Sequence, residues 1–385
     1  MKLGYDGKRA FQNETGLGNY SRSLVAILAQ RYPQHDYTLF APKKTDLFNP
    51  AGFDNVHAVF PETVVGKKIS AWWRRYHIVK AIEKAGIDIY HGLSNELPLH
   101  IERTPVKSIV TIHDLIFERF PETYHYDEQF TYRWKIKRAC KKANAIIAIS
   151  QQTKDDLINL YGVNANKISI CYQSCNPIFE RTCTQEEKEL IKQKYNLPDD
   201  FFLFVSSIAP RKNLSTVCKA LVSLKEKLHI PLVVIGNGKK EKAAARSLMN
   251  SNGMADRLIL LNEMPISNDP AFMTAADFPA IYQQATALIY PSLFEGFGLP
   301  VLEALWSRLP VICSNISSLP EVAGDAALYF SPADYESLAA HMMDIATHPQ
   351  IADALKDLGY KQAQKFTPAT YAGNIMEVYN KVMGI

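Results

Sequence analysis

Short apolar runs alternate with stretches of helical spacing along this chain, and that alternation restricts the fold more than any other feature. Runs at 2–6, 37–40, 56–59, 87–91, 107–113, 145–150 and 168–171 are short and rich in Ile, Val, Tyr and Phe. Between most of them lie segments with apolar residues every three or four positions, as in Leu24, Ile27 and Leu28. Strands that alternate with helices predict a parallel, doubly wound sheet. A second series begins at Phe201-Phe202-Leu203-Phe204-Val205 and continues through runs at 231–235, 257–261, 287–290, 311–313 and 327–330. Between the two series stand Asn176-Pro177, where proline suits a linker, and a charged helical segment at 185–194. At roughly 150 residues per domain, 385 residues fit two domains or three. The expected domains are 1–175, 176–366 and a terminal helix over 367–385.

In doubly wound sheets, ligands bind beyond the carboxyl ends of the strands. In the first series the polar groups that fall there are His91-Gly92, His113-Asp114 and Ser150. Thr15-Gly16-Leu17-Gly18-Asn19-Tyr20 joins the first strand to a helix. Gly16 and Gly18 suit either a tight turn or a pyrophosphate cradle, but serine at 21 leaves the dinucleotide fingerprint incomplete. In the second series Ser206-Ser207-Ile208-Ala209-Pro210-Arg211-Lys212-Asn213-Leu214 leaves a strand and opens a helix. Adjacent cations there suit a diphosphate, Arg as a fork and Lys as a point charge; a solvated basic turn is the plainer reading.

The most specific stretch is Tyr290 to Leu305, a strand end followed by a glycine turn and a helix. Gly296 and Gly298 allow close backbone approach, and Pro300 suits the first helical position. Unpaired amides at 298–302, with the positive end of the helix dipole, then form an anion site. Glu295 and Glu303 frame it, and a carboxylate suits vicinal sugar hydroxyls. Taken singly, each glutamate also fits a solvated loop or a helix-start acid.

Glu295-Gly296-Phe297-Gly298-Leu299-Pro300-Val301-Leu302-Glu303 resembles the signature of retaining glycosyltransferase family 4, of GT-B fold. The resemblance implies two Rossmann-like domains facing across a cleft, with the last helix packed back on the first domain. It implies that Glu303 binds the nucleotide ribose, that Glu295 lies near the donor sugar, and that the backbone of Phe297, Gly298 and Leu299 meets sugar and phosphate. His113, within Val110-Thr111-Ile112-His113-Asp114-Leu115, resembles a histidine that touches the donor sugar in mannosyltransferase-like members. Arg211 and Lys212 match the donor-phosphate site, although many members carry arginine where this chain has Ser207. Gly16 and Gly18 resemble the loop beside acceptor and donor phosphate; Gly236 and the stretch 262–264, including Glu263, resemble the nucleotide border. The implied reaction moves a hexose from a nucleotide-sugar donor to a saccharide or lipid-linked acceptor, with no cofactor and no metal. GDP-mannose is the implied donor; a UDP-hexose donor, a sugar-nucleotide epimerase and a non-catalytic sugar-nucleotide binder are the alternatives.

Composition narrows the rest. A net charge of +4 is too small to argue for nucleic acid. Six cysteines with no Cys-x2-Cys pair, several of them in apolar runs, predict reduced thiols and a cytoplasmic setting. The first residues read as a strand rather than a signal peptide, and no run approaches the ~18 apolar residues of a membrane span. Two basic, aromatic segments, 66–76 and 133–142, suit either a solvated helix face or contact with an anionic membrane.

Overall fold

The computed structural model describes residues 1–61, 73 and 77–385. They form two compact units: Met1–Gln173 together with Pro368–Ile385, and Ser174–Thr367.

Unit one holds a seven-stranded, wholly parallel sheet. Its strands are β1 (Lys2–Asp6), β2 (Asp36–Phe40), β3 (Val56–Val59), β4 (Ile89–Gly92), β5 (Lys107–Ile112), β6 (Ala145–Ala148) and β7 (Ile168–Ile170). Their order is β3-β2-β1-β4-β5-β6-β7. Unit two holds β8 (Phe202–Val205), β9 (Leu232–Ile235), β10 (Leu258–Leu260), β11 (Ala287–Tyr290), β12 (Val311–Ser314) and β13 (Ala327–Phe330), in the order β10-β9-β8-β11-β12-β13. Strands covered on both faces need continuous apolar runs. Phe202, Leu203 and Phe204 and all of Ala287–Tyr290 are accordingly buried. In both sheets the chain reverses direction once, between β1 and β4 and between β8 and β11. Those are the switch points where α/β sheets open a crevice.

Two strands end earlier than their apolar runs. β5 stops at Ile112 because the next amide, that of His113, donates to Asn95 Oδ1 at 2.9 Å instead of continuing the ladder. β6 stops at Ala148, and Ser150 caps the helix Gln151–Tyr161 by accepting from the Thr153 amide at 3.1 Å. Of the stretch 66–76, only Trp73 is among the described residues; it is buried in the core of unit one, so it does not meet a membrane.

The helix Pro368–Met383 belongs to unit one, and a buried hydrogen-bonded chain ties it there. Tyr379 Oη donates to Tyr5 Oη at 3.3 Å. It therefore accepts from His91 Nδ1, 2.8 Å away. His91 Nε2 then accepts from Thr111 Oγ1 at 2.8 Å, and Thr111 Oγ1 accepts from Tyr20 Oη at 3.0 Å. Burial, with His113 nearby, pushes the His91 imidazole down to about 3, so it is neutral at pH 7. His91 is thus a structural residue rather than an open site group. Tyr379→Phe should leave the His91 N–H buried without its acceptor and lower the unfolding free energy by about 1–3 kcal/mol. Denaturant unfolding checks this; an unchanged midpoint would contradict it.

Candidate active site

In unit two, the turn after β8 and the turn after β11 are locked together. Pro210–Lys212 forms a 3-10 turn that ends on Asn213 at φ 58°, a left-handed conformation that asparagine tolerates. Asn213 Nδ2 donates to the carbonyls of Pro291 at 3.2 Å and Pro332 at 2.8 Å. The Leu293 amide donates to the Arg211 carbonyl at 2.7 Å, and Arg211 Nη1 donates to the Phe294 carbonyl at 3.0 Å.

This lock brings Lys212 and Glu295, both buried, into a direct ion pair. Lys212 Nζ also donates to Tyr290 Oη at 3.1 Å, and Arg211 Nη1 lies 3.3 Å from the other Glu295 oxygen. Burial by itself would raise the Glu295 pKa. Lys212 and then Arg211 outweigh it and hold the carboxyl below its ordinary value. The Glu295 backbone is fixed from the next loop: its amide donates to Ser317 Oγ at 3.0 Å, and its carbonyl accepts from Ser318 Oγ at 3.0 Å.

The helix Leu299–Trp306 starts one residue earlier than the proline suggested, so Pro300 is its second residue. Its N-terminal donors are fewer than expected. The amides of Val301 and Leu302 both donate to the Gly298 carbonyl, at 3.0 and 3.3 Å, and Pro300 has none. Among the described residues, the amides of Gly298 and Leu299 remain without a protein acceptor. Gly298 sits at φ 114°, where any other residue would be strained, and a Cβ would also crowd Leu319 Cδ2 at 2.8 Å. Phe297 is a core side chain, edge-on to Phe366 at 5.9 Å, and its carbonyl accepts from Ser318.

Glu303 is half-buried on this helix and accepts a 2.9 Å hydrogen bond from Tyr282 Oη, a partner that sequence reading missed. Burial pushes its carboxyl up to about 7, against the opposing Tyr282 bond.

The nucleotide-border candidates behave differently from one another. The Gly236 amide donates to Asn262 Oδ1 at 2.5 Å, and a Cβ at Gly236 would meet the Ser206 carbonyl at 1.7 Å. That close approach joins the ends of β8, β9 and β10. Ser207 is exposed at the end of β8. Glu263 is already paired with Lys242 at 3.1 Å and with Arg246.

In unit one, His113 is fixed on every side that the structure describes. Its Nε2 donates to the Leu93 carbonyl at 2.8 Å, and its ring stands edge-on to Tyr20 at 4.5 Å. Thr153 Oγ1 donates to its carbonyl at 3.1 Å. Burial pushes the imidazole down to about 4, so it is neutral, with Nδ1 as a hydrogen-bond acceptor. Asp114 accepts from the Ile116 amide at 3.1 Å. Arg9, overlooked in the sequence, contributes a charge close enough to lower the His113 pKa further, and its buried Nε has no hydrogen-bond partner. Gly18 proves structural: its amide donates to the Thr15 carbonyl and Asn13 Oδ1, and a Cβ would meet the Asn13 carbonyl at 1.7 Å. Gly16, by contrast, faces open space.

Two family models match this chain. One, described as Glycosyltransferase Family 4, matches residues 15–177, and the other, Glycosyl transferases group 1, matches residues 186–365. The chain belongs to the family 4 glycosyltransferases, with the GT-B fold. It is 29% identical to O-antigen chain mannosyltransferase B of Escherichia coli over 283 residues, 72% of this chain and 70% of that protein. It is also 29% identical to the serotype-specific mannosyltransferase WbdA of E. coli over 304 residues, 77% of this chain but 36% of that longer protein. The solved structure of Anabaena Alr3699/HepE in complex with UDP and glucose shares the fold, with a TM-score of 0.74 at 14% identity, 99% of this chain and 100% of that one being covered.

Glu303 supplies a pH test. Its folded pKa of about 7 exceeds the ordinary 4.5, so between those values the folded state holds a proton that the unfolded chain releases. The contribution is full below the lower value and lost as pH rises through the upper one. Wild type should therefore lose stability relative to Glu303→Gln as pH rises through this window. Melting temperatures of both proteins across the range check it; parallel profiles would contradict the assignment.

Proposed function

We propose that this chain transfers mannose from GDP-mannose to a hydroxyl of a surface-polysaccharide glycan or lipid-linked saccharide, with retention of configuration and without a divalent metal. The observation that carries this reading is the pairing of buried Lys212 and partly buried Arg211 with Glu295 at the β8–β11 switch point, three residues before Gly298, whose amide, like that of Leu299, has no protein acceptor among the described residues. Departure of a diphosphate bearing ~2–3 negative charges is the difficult step, and fixed cations and amides stabilise charge where it develops. The C1–oxygen bond breaks, and the diphosphate keeps the electron pair. The acceptor oxygen then bonds C1 from the same face, and a leaving phosphate oxygen takes its proton. Glu303 accepts from the ribose hydroxyls, Glu295 accepts from the donor sugar, and neutral His113 offers Nδ1 to a sugar hydroxyl. The mannose assignment is supported by the names of the E. coli relatives and by the His113-Asp114-Leu115 and Pro210-Arg211-Lys212-Asn213 stretches.

A UDP-hexose donor is the second reading, favoured by the HepE neighbour with its UDP and glucose. Thermal unfolding with each nucleotide decides between them. GDP should raise the melting temperature and UDP should not; the reverse result would remove the mannose donor and keep the transferase. Nucleotide binding without diphosphate release in the presence of any acceptor would favour a non-catalytic sugar-nucleotide binder.

Peripheral membrane contact belongs to the same proposal. On the helix Tyr126–Lys142, the exposed residues Tyr126, Phe130, Trp134, Lys137 and Lys141 fall on one stripe by helical spacing. Aromatic side chains followed by cations suit the interface of an anionic bilayer. Among the described residues, no helix is long and apolar enough to cross a membrane. Flotation should carry the protein with anionic liposomes and not with neutral ones, and Phe130→Ser with Trp134→Ser should abolish it. Equal binding to both liposomes, or none, would contradict the contact.

A further inference from the structure

The site in unit two holds an anion of its own. Glu295 places one carboxylate oxygen on Lys212 Nζ and the other 3.3 Å from Arg211 Nη1. The three side chains are only 9%, 7% and 21% exposed for Glu295, Lys212 and Arg211. A bridging carboxylate asks of these cations what a phosphate oxygen asks: short, charge-assisted hydrogen bonds. Lys212 has three N–H donors; one is spent on Glu295 and another on Tyr290 Oη.

We propose that Glu295 is an internal competitor of the diphosphate, so that donor binding breaks the Glu295 bridge and its re-formation drives product release. The inference rests on the reading of Arg211 and Lys212 as the diphosphate cations. An ionised Glu295 bridging both cations competes for them with a group of two or three further negative charges, because the like charges repel strongly in a partly buried site. Something must yield, and the backbone is held: Ser317 and Ser318 fix the Glu295 amide and carbonyl. The movement is therefore in the Glu295 side chain, whose carboxylate leaves the cations as the diphosphate takes them. Once the sugar has gone, the same carboxylate is the nearest anion able to reclaim Lys212 and Arg211. Glu295 thereby offsets part of the charge of Lys212 and Arg211 between turnovers and weakens the grip on a spent diphosphate.

The test is calorimetric binding of GDP, UDP and inorganic pyrophosphate to the full chain. In Glu295→Gln the cations lose their internal anion, so pyrophosphate and the preferred nucleoside diphosphate should bind about tenfold more tightly or better. Turnover should fall, with product inhibition appearing at lower diphosphate concentration. Glu295→Asp keeps the charge but withdraws it by one methylene, and a smaller tightening is expected, which preserves the test if the glutamine variant does not fold. Unchanged affinity would mean that the bridge opens freely, and weaker affinity would mean that Glu295 supports the diphosphate; both overturn the proposal. Wild type and variants that bind neither pyrophosphate nor any nucleoside diphosphate would overturn the cation assignment itself, a result separate from the other two.

Discussion

The ion pair between Lys212 and Glu295 is the constraint around which unit two is arranged. Two ionised groups are tolerated at this depth only because each satisfies the other and further hydrogen bonds complete them. The partners stand 83 residues apart in the chain. They meet because β8 and β11 are neighbours in the sheet, an adjacency that the doubly wound order β10-β9-β8-β11-β12-β13 creates. Asn213 in its left-handed turn, Gly298 beside Leu319, and the Ser317–Ser318 clamp all serve that meeting. On the proposed function, that fixed charge is the feature that would stabilise a leaving diphosphate.

Unit one solves a different electrostatic problem. Its two buried histidines are neutral: His91 and His113 are held deprotonated by burial, and tyrosine and threonine hydroxyls complete the His91 chain. On the proposed function, only His113 keeps an open acceptor, Nδ1, and a sugar that lacks the matching hydroxyl would leave it unmatched. The Lys212–Glu295 pair thus belongs to the second unit, and the neutral histidine network to the first.

Much of this was legible in the residues, for physical reasons. The strands were visible because strands buried on both faces must be apolar throughout, as in Phe202–Val205 and Ala287–Tyr290. Glu295, Lys212 and Gly298 were visible because the local stretches around them are restrictive: adjacent cations at a turn, and glycine where a Cβ has no room. What stayed hidden depends on contacts between distant segments. Nothing near Glu303 in sequence announces Tyr282, 21 positions earlier, and nothing near His91 announces Tyr379, 288 positions on. Gly18 looked like a ligand-facing glycine, but its missing Cβ makes room for the Asn13 carbonyl. The helix start at Leu299 redirected the Val301 and Leu302 amides to Gly298, so fewer donors remain for an anion than the helix signature alone suggested.

The central claim is that Arg211 and Lys212 stabilise a leaving diphosphate. Single-turnover release of GDP from GDP-mannose, with acceptor present, measures that step directly in wild type, Arg211→Ala and Lys212→Ala. Loss of a charge stabiliser typically costs ~100-fold or more in rate, and each variant should lose that much while the fold remains intact. A variant that releases GDP at close to the wild-type rate would show that its cation is not at the leaving group, and would contradict the claim for that residue.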